Sequence, residues 1–437
     1  MRKYNQRNVL LKKGKMNKRK IYVYAHWQGM DSPFLIGNLY SDRLRGKEIF
    51  SFEYAKEWLK SEYAFLLDPD LQLYPGLHFL NDDEKANFGI FLDSSPDRWG
   101  RILMRRREAA LARTDKRPEQ ALFETDYLLG VFDGHRMGAL RFKLDKNGPF
   151  LNDNKELASP PWTSLRKLEQ ISLKLEEDNI IDEPEYYKWL SMIIAPGSSL
   201  GGARPKASII NKDGSLWIAK FPSRNDNNNV GGWEMVTYEL AIKAGINMAK
   251  SMVRKLSSKN YTFLTKRFDR TEKYERIHFA SAMTMLGYTD GQDYSDGASY
   301  LEIVEFISNY GVNIKKDLEE LWKRIVFNIC VSNTDDHLRN HGFILTKKGW
   351  ILSPAYDINP NETGTGLKLN INENDNSLDL QLAMEVHEYF RLTRKKAEQI
   401  MNEVKRTVNT WETLAIKYGI SKAEQELKSI AFSKASN

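Results

Sequence analysis

Asn333-Thr334-Asp335-Asp336-His337-Leu338-Arg339-Asn340-His341 is the densest run of chemistry-bearing side chains in the sequence. Asp335 and Asn340 are separated by four residues, the spacing at which a phosphotransferase loop carries a base and a metal ligand. The Asp must face an acceptor hydroxyl while the Asn turns back toward a magnesium ion on the transferring phosphates. Gly342–Leu352 reads as a hairpin ending at Ser353-Pro354-Ala355-Tyr356-Asp357, which returns a second carboxylate, Asp357, beside the loop. An Asp and Asn pair supplies the hard oxygen atoms that magnesium takes. Two rival readings use the same residues. His337 and His341 stand at i, i+4, as on a zinc-protease helix, but Leu338 occupies the place of the Glu base. A Thr-Asp-Asp cluster also suits a helix N-cap with solvated side chains.

Two further clusters lie upstream in a consistent order. Ala195–Lys206 is rich in Gly and Ser and precedes a strand. Gly197 and Gly202 have the separation of a Walker loop, but Ala203 stands at the lysine position, and the dinucleotide glycine pattern is missing. Backbone N–H groups there would cradle phosphates with Lys206 as a cation; the alternative is a surface loop without such a role. Lys220 then sits in the apolar run Leu216–Phe221, where an ammonium group is costly unless paired. Glu234, at the start of the helical stretch Trp233–Ala244, is its candidate partner. A strand lysine, a helix glutamate and a distal Asp and Asn, in that order, are the parts of a protein-kinase site.

The elements that must position these groups follow from pattern. Ile21–Ala25, Leu35–Leu39 and Ile49–Phe52 read as short strands, and Arg101–Arg113 as a basic helix with an apolar side. Asp145–Pro161 has linker chemistry, and Leu165–Ala195 is helical in pattern. Strands and helices alternate from Ala207 to about Asp269, and helices dominate from Tyr300. With 437 residues, two or three domains are expected.

The net charge of +7 is a local feature. Residues 1–20 hold nine Lys or Arg and no acid, which leaves the other 417 residues at −2. The body is therefore not basic, and only the tail offers contacts to a phosphate backbone. Met16, just before the strand-like Ile21–Tyr24, marks a second candidate start. No apolar run is long enough to span a membrane, and the one cysteine, Cys330, forms no internal disulfide; both point to the cytoplasm.

Over roughly residues 20–420 the chain resembles the HipA family, the serine/threonine-kinase toxins of bacterial toxin–antitoxin modules. The resemblance rests on Ser95–Arg101 and Arg136–Phe142 in the first domain. Further on it rests on Gly201–Lys206, Lys266–Arg270, Asn333–His337 and Ser353–Ile358. It implies Asp335 as catalytic base, Lys220 as ATP-phosphate anchor, and Asn340 and Asp357 as magnesium ligands. Gly201, Gly202, Ala203, Arg204 and Lys206 would cover the nucleotide, with Glu234, His337 and Tyr356 close by. The hinge falls at Phe279, Ala280 and Ser281, where several family members carry acids. Ser199, or the adjacent Ser198, matches the autophosphorylated serine. The family also implies a helix-turn-helix, HipB-like antitoxin, contact with DNA only through it, and a protein substrate in translation such as an aminoacyl-tRNA synthetase.

The expected fold is α+β and protein-kinase-like: a basic flexible tail (1–20), a small β-rich N-terminal domain (21–145), a kinase N-lobe (146–290) and a mainly helical C-lobe (291–437). The expected activity is transfer of the ATP γ-phosphate to a serine or threonine, with ATP and magnesium. Two other classes stay open: a small-molecule kinase of the antibiotic-phosphotransferase type, and a non-catalytic co-repressor acting with a DNA-binding antitoxin.

Overall fold

The computed structural model describes residues 19–436 except 45, 83, 178–184 and 194–203. Its first sheet is antiparallel, with β1 (Arg19–Ala25), β2 (Phe34–Leu44), β3 (Lys47–Tyr54), β4 (Leu77–Phe79) and β5 (Leu140–Lys143) in the order β4-β3-β2-β1-β5. Alternation sets its faces: Ile21, Val23 and Ala25 enter the core, while Tyr22 and Tyr24 lie half-buried on the outer side. The three expected strands are all present, each longer than its apolar run. The basic helix spans Arg98–Thr114 and buries Trp99, Leu103 and Ala110. Asp97 caps it by accepting the Gly100 N–H at 2.8 Å. Of the expected tail, only Arg19 and Lys20 are described, and they open β1.

A second antiparallel sheet follows, with β6 (Lys206–Ile210), β7 (Leu216–Lys220), β8 (Ser251–Lys255) and β9 (Tyr261–Lys266) in the order β6-β7-β9-β8. The helix Val230–Lys243 packs closely on β9, and Gly231 makes that approach possible. A Cβ there would lie 2.2 Å from the Tyr261 carbonyl oxygen. The helical stretch expected over 165–195 contains two helices, Leu165–Lys174 and Tyr186–Ile193. Asp145–Pro161 differs from a free linker: Leu151 bridges to Phe142, and Leu157 is buried beside Leu168 and Trp189. These isolated apolar anchors, within a polar run, carry little pattern.

The remaining chain forms a mainly helical lobe around the buried helix Ile314–Cys330, whose Trp322 indole donates to the Ala383 carbonyl at 3.0 Å. Its small sheet joins β10 (Phe279–Ser281), β11 (Gly342–Thr346) and β12 (Gly349–Leu352). The expected hairpin is the β11–β12 pair. The architecture is mixed α and β and bilobed, with the β-rich domain in front, as expected.

The N-terminal domain is clasped to both lobes by buried charges. Lys206 donates to Asp97 at 2.8 Å, with side chains 4% and 1% exposed. Asp93 accepts from the Ser281 N–H and hydroxyl at 2.7 and 2.8 Å. Gly138, at φ +68°, donates its N–H to Asp269 at 2.8 Å. Arg267 links Asp269 to the carbonyls of His135 and Arg136. Burial alone would raise the Asp269 carboxyl, but Arg267 and Arg270 hold it down at about 2.

Candidate active site

The site forms where β7, the helix Val230–Lys243 and two loops of the helical lobe converge. Lys220 ends β7 with its side chain buried among apolar neighbours, so it must be paired. It is paired twice: its Nζ donates to Glu234 Oε1 at 2.6 Å and to Asp357 Oδ1 at 2.5 Å. Burial opposes the ammonium charge, but Asp357 and Glu234 more than reverse that and hold it protonated. Burial likewise raises Glu234, against the pull of Lys220. Asp357 is held below the usual carboxylate range because Lys220 outweighs its burial.

Asp357 follows β12 on the turn Ser353–Asp357. The Ala249 N–H donates to the Ala355 carbonyl at 2.9 Å, and the Ala355 N–H to the Asn247 carbonyl at 2.7 Å. Thr237 donates to the Ile358 carbonyl at 2.6 Å, tying this segment to the helix that bears Glu234. Asp357 is held at φ +57°, in the left-handed region, an arrangement found where a fold fixes a functional side chain against a backbone cost. Asn359 donates to the same Asp357 oxygen at 3.2 Å.

The catalytic-loop candidates stand on an internal scaffold centred on Asp336. That buried carboxylate accepts from Asn328 and His341, each at 2.8 Å, and from the Tyr300 hydroxyl. Burial would raise Asp336, but His341 and the hydrogen bonds hold it low, so it stays an anion within the loop. Asp335, its neighbour, is exposed and points out of that scaffold. Partial burial of its carboxyl raises its pKa and the charge of Asp357 adds to this, while His337 opposes it. Asn340 donates its amide to the Asp335 carbonyl at 3.0 Å, which closes the turn over the four residues between them.

Whether a magnesium ion suits these residues can be tested on Asn340. Its Oδ1 is buried and has no hydrogen-bond partner among the described residues. A buried carbonyl oxygen without a partner is costly, and a hard cation is one way to satisfy it. Asp357 supplies the carboxylate. Among the described residues no group of three His, Cys, Asp or Glu is placed to hold a metal, so this pair would need phosphate and water oxygens to complete a shell. His341 faces Asp336 in the loop scaffold, which removes the zinc-helix reading.

The other candidate residues divide clearly. Tyr356 donates its hydroxyl to the Arg339 carbonyl at 2.7 Å and stacks on Phe268 with centroids 5.6 Å apart. Together with Ile218, Ala249 and Lys220 these two rings line a narrow cavity that ends at Asp357. Phe279 packs edgewise on Phe268 and so backs that cavity. Ala280 and Ser281 turn away from it, Ala280 into the main core and Ser281 to Asp93. Arg204 is committed to Asp226 by two bonds of 2.8 and 2.7 Å, and Lys206 to Asp97. His337 lines a separate cleft with Arg339, Lys368 and Asp293. Gly201, Gly202, Ala203, Ser198 and Ser199 lie outside the described residues. Asp336, Asp93 and Asp97 escaped the sequence reading. Asp336 sits directly beside Asp335 in a polar turn, and only the fold shows which of the two is buried.

Residues 198–411 match the family model of the HipA-like C-terminal domain. A Haemophilus influenzae protein provisionally named a kinase is 27% identical over 179 residues, 37% of this chain and 52% of that protein. Y4mE of Sinorhizobium fredii, provisionally named likewise, is 24% identical over 181 residues, 37% of this chain and 41% of that one. The chain thus spans about half the length of the curated relatives it matches. The HipA chain of the Shewanella oneidensis MR-1 complex of HipA, HipB and operator DNA superposes with a TM-score of 0.66 at 17% identity. That alignment covers 95% of this chain and 96% of the other, and at such identity the likeness is one of fold.

Proposed function

Starting from a chain whose residues 198–411 belong to the HipA-like C-terminal domain family, we propose that it is an ATP-dependent serine/threonine protein kinase of a HipA-type toxin–antitoxin module. The observation that carries this reading is the Lys220 ammonium held between Glu234 and Asp357. Lys220 would pair with ATP phosphate oxygens, a charge its two carboxylate neighbours keep in place. Asp335 would orient the acceptor hydroxyl and take its proton, and the partial burial and the Asp357 charge that raise its pKa strengthen it as a base. Asn340 Oδ1 and the Asp357 carboxylate would hold magnesium, whose role is to neutralise charge on the transferring phosphates. Most of the rate would come from such positioning and electrostatics, with general-base catalysis adding roughly 10²–10⁴-fold.

The proposal extends to the cell. A HipB-like antitoxin is the proposed partner, with DNA reached through it, and the acceptor is a protein of the translation machinery such as an aminoacyl-tRNA synthetase. Among the described residues no helix is long and apolar enough to cross a membrane, and the proposed location is the cytoplasm. Ser199, or Ser198, is the proposed autophosphorylation site. Phosphate added there would bring about −1.5 to −2 charges to the segment proposed to cover ATP and would switch the kinase off. Phosphoproteomics after induction of wild type and Asp335→Ala tests the whole reading. New phosphoserine or phosphothreonine on host proteins and on Ser198 or Ser199, seen only with wild type, is expected. Identical phosphoproteomes would overturn it and leave a small-molecule kinase or a co-repressor.

A further inference from the structure

The chain beyond Asp357 lies on the catalytic-loop candidates and brings a further cation to them. The Asn359 N–H donates to Asn333 Oδ1 at 3.2 Å, and the Asn361 N–H to the Ser332 carbonyl at 3.1 Å. The Asn361 amide donates to Thr334 Oγ1 at 2.6 Å, and Gly364 packs so closely on Thr334 that a side chain there would strike it. Lys368 follows, between the buried Leu367 and Leu369, with its own side chain 43% exposed. Its carbonyl accepts the Tyr294 N–H at 2.9 Å, which fixes the backbone at that point. Lys368 lines a cleft of about 140 Å³ together with His337, Leu338 and Arg339 of the loop.

The ammonium of Lys368 is anchored but not fully used. Its Nζ donates to Asp293 Oδ2 at 2.9 Å, and Asp293 is held in turn by the Ser295 N–H at 3.0 Å and hydroxyl at 2.8 Å. An ammonium group carries more N–H donors than this one bond takes up. The nearby cations are committed elsewhere: Lys220 to Glu234 and Asp357, and Arg339 to Asp290 at 3.4 Å. Lys368 and Asp335 also act on each other. The Asp293 hydrogen bond does most to raise the Lys368 pKa, and the Asp335 charge adds to it. Burial raises Asp335, and Lys368 opposes this after His337.

Resting on the kinase reading, we infer that Lys368 is a further catalytic residue, whose remaining N–H groups donate to the γ-phosphoryl oxygens from the side on which the acceptor enters. The bond from the acceptor oxygen to phosphorus forms as the bond from phosphorus to the β,γ-bridging oxygen breaks. ADP leaves with that electron pair, Asp335 takes the hydroxyl proton, and Lys368 stays protonated throughout. Lys220 meets the phosphates from β7, so the two ammonium groups would hold the moving group from opposite lobes. A fixed cation aimed at charge that builds in the transition state raises kcat more than it tightens ATP.

The test follows label from radiolabelled ATP into the full chain and into myelin basic protein, a generic serine- and threonine-bearing acceptor, at varied ATP concentration. Lys368→Met should lower kcat by about a hundredfold, the loss typical of removing one donor to a developing anion, with KM for ATP within about threefold of wild type. Lys368→Arg keeps the charge and should stay within about tenfold of wild type. A half-exposed ion pair adds little stability, so both variants should melt with the wild type. Calorimetry of ADP and magnesium, with and without aluminium fluoride in place of the moving phosphoryl group, gives a readout free of turnover. Wild type should bind ADP at least about tenfold tighter with aluminium fluoride, and Lys368→Met should lose most of that gain while keeping its affinity for ADP alone. A kcat near wild type in Lys368→Met would overturn the inference and leave the kinase reading standing. So would equal losses in the Met and Arg variants, or an equal loss of ADP affinity with and without aluminium fluoride, since either marks a structural role. Wild-type protein that labels neither itself nor the acceptor would overturn both.

Discussion

The Lys220 ammonium lies 2.5 Å from a carboxylate oxygen of Asp357. The proposed phosphate anchor and the proposed metal ligand are therefore each other's counter-ion, with Glu234 at 2.6 Å as the third member. Lys220→Met would leave Glu234 and Asp357 facing each other without a cation. Loss of one partner of a buried pair costs about 3–5 kcal/mol, so the melting temperature should fall by several degrees and phosphoryl transfer should be lost. Calorimetry and radiolabelled ATP assays check both. A variant as stable and active as wild type would show that the triad is not used.

Asp357→Asn keeps a side chain that tolerates the left-handed backbone at φ +57° while removing the carboxylate charge. ATP binding measured with and without magnesium should lose most of its magnesium dependence, by at least tenfold in affinity. Unchanged magnesium dependence would remove Asp357 from the metal site.

Asp97 joins two domains through Lys206 and also caps the helix Arg98–Thr114. Asp97→Ala removes the cap, worth about 1 kcal/mol, and leaves a buried ammonium unpaired. Chemical denaturation should report a loss well beyond the cap alone. The double variant Asp97→Ala/Lys206→Met should recover part of that loss, which a cap effect alone would not allow.

His278 lies between Trp27 and Trp350 with both ring nitrogens unpartnered among the described residues. Burial lowers its pKa from 6.5 to about 3. The folded state therefore refuses a proton that the unfolded chain accepts. Stability from this site is complete above about pH 6.5 and is lost progressively as pH falls toward 3. At pH 5 the loss is roughly 2 kcal/mol, at 1.36 kcal/mol per pKa unit. His278→Phe should flatten the fall in melting temperature between pH 7 and pH 5. An unchanged slope would place the acid sensitivity elsewhere, with His135, also lowered to about 3, the next site to substitute.

Deleting residues 1–15 should leave the melting temperature and any kinase activity unchanged, because that stretch has no buried pattern. A large fall in melting temperature would show that it packs on the body.

The order Lys220, Glu234, Asp335, Asn340, Asp357 was legible because each residue type is unusual in its local setting: a lysine in an apolar strand, a carboxylate at the end of a hairpin. The hairpin and the first three strands were legible from alternation and turn residues. The clasp between domains was not. Asp97, Asp93 and Gly138 find Lys206, Ser281 and Asp269 across 109, 188 and 131 residues, and no local period encodes such pairings. For the same reason Lys206 read as a free phosphate cation, and Ser281 as a hinge residue facing the nucleotide. Asp336 was hidden by its neighbour, since burial alone separates the two acids.

The most direct measurement of the central claim is phosphoryl transfer by Asp335→Asn, assayed with radiolabelled ATP alongside ATP affinity by calorimetry. The base acts on the acceptor hydroxyl and Lys220 on the phosphates, so transfer should be abolished while ATP affinity stays within about tenfold of wild type. Near-normal transfer by Asp335→Asn would contradict the assignment of this loop as catalytic.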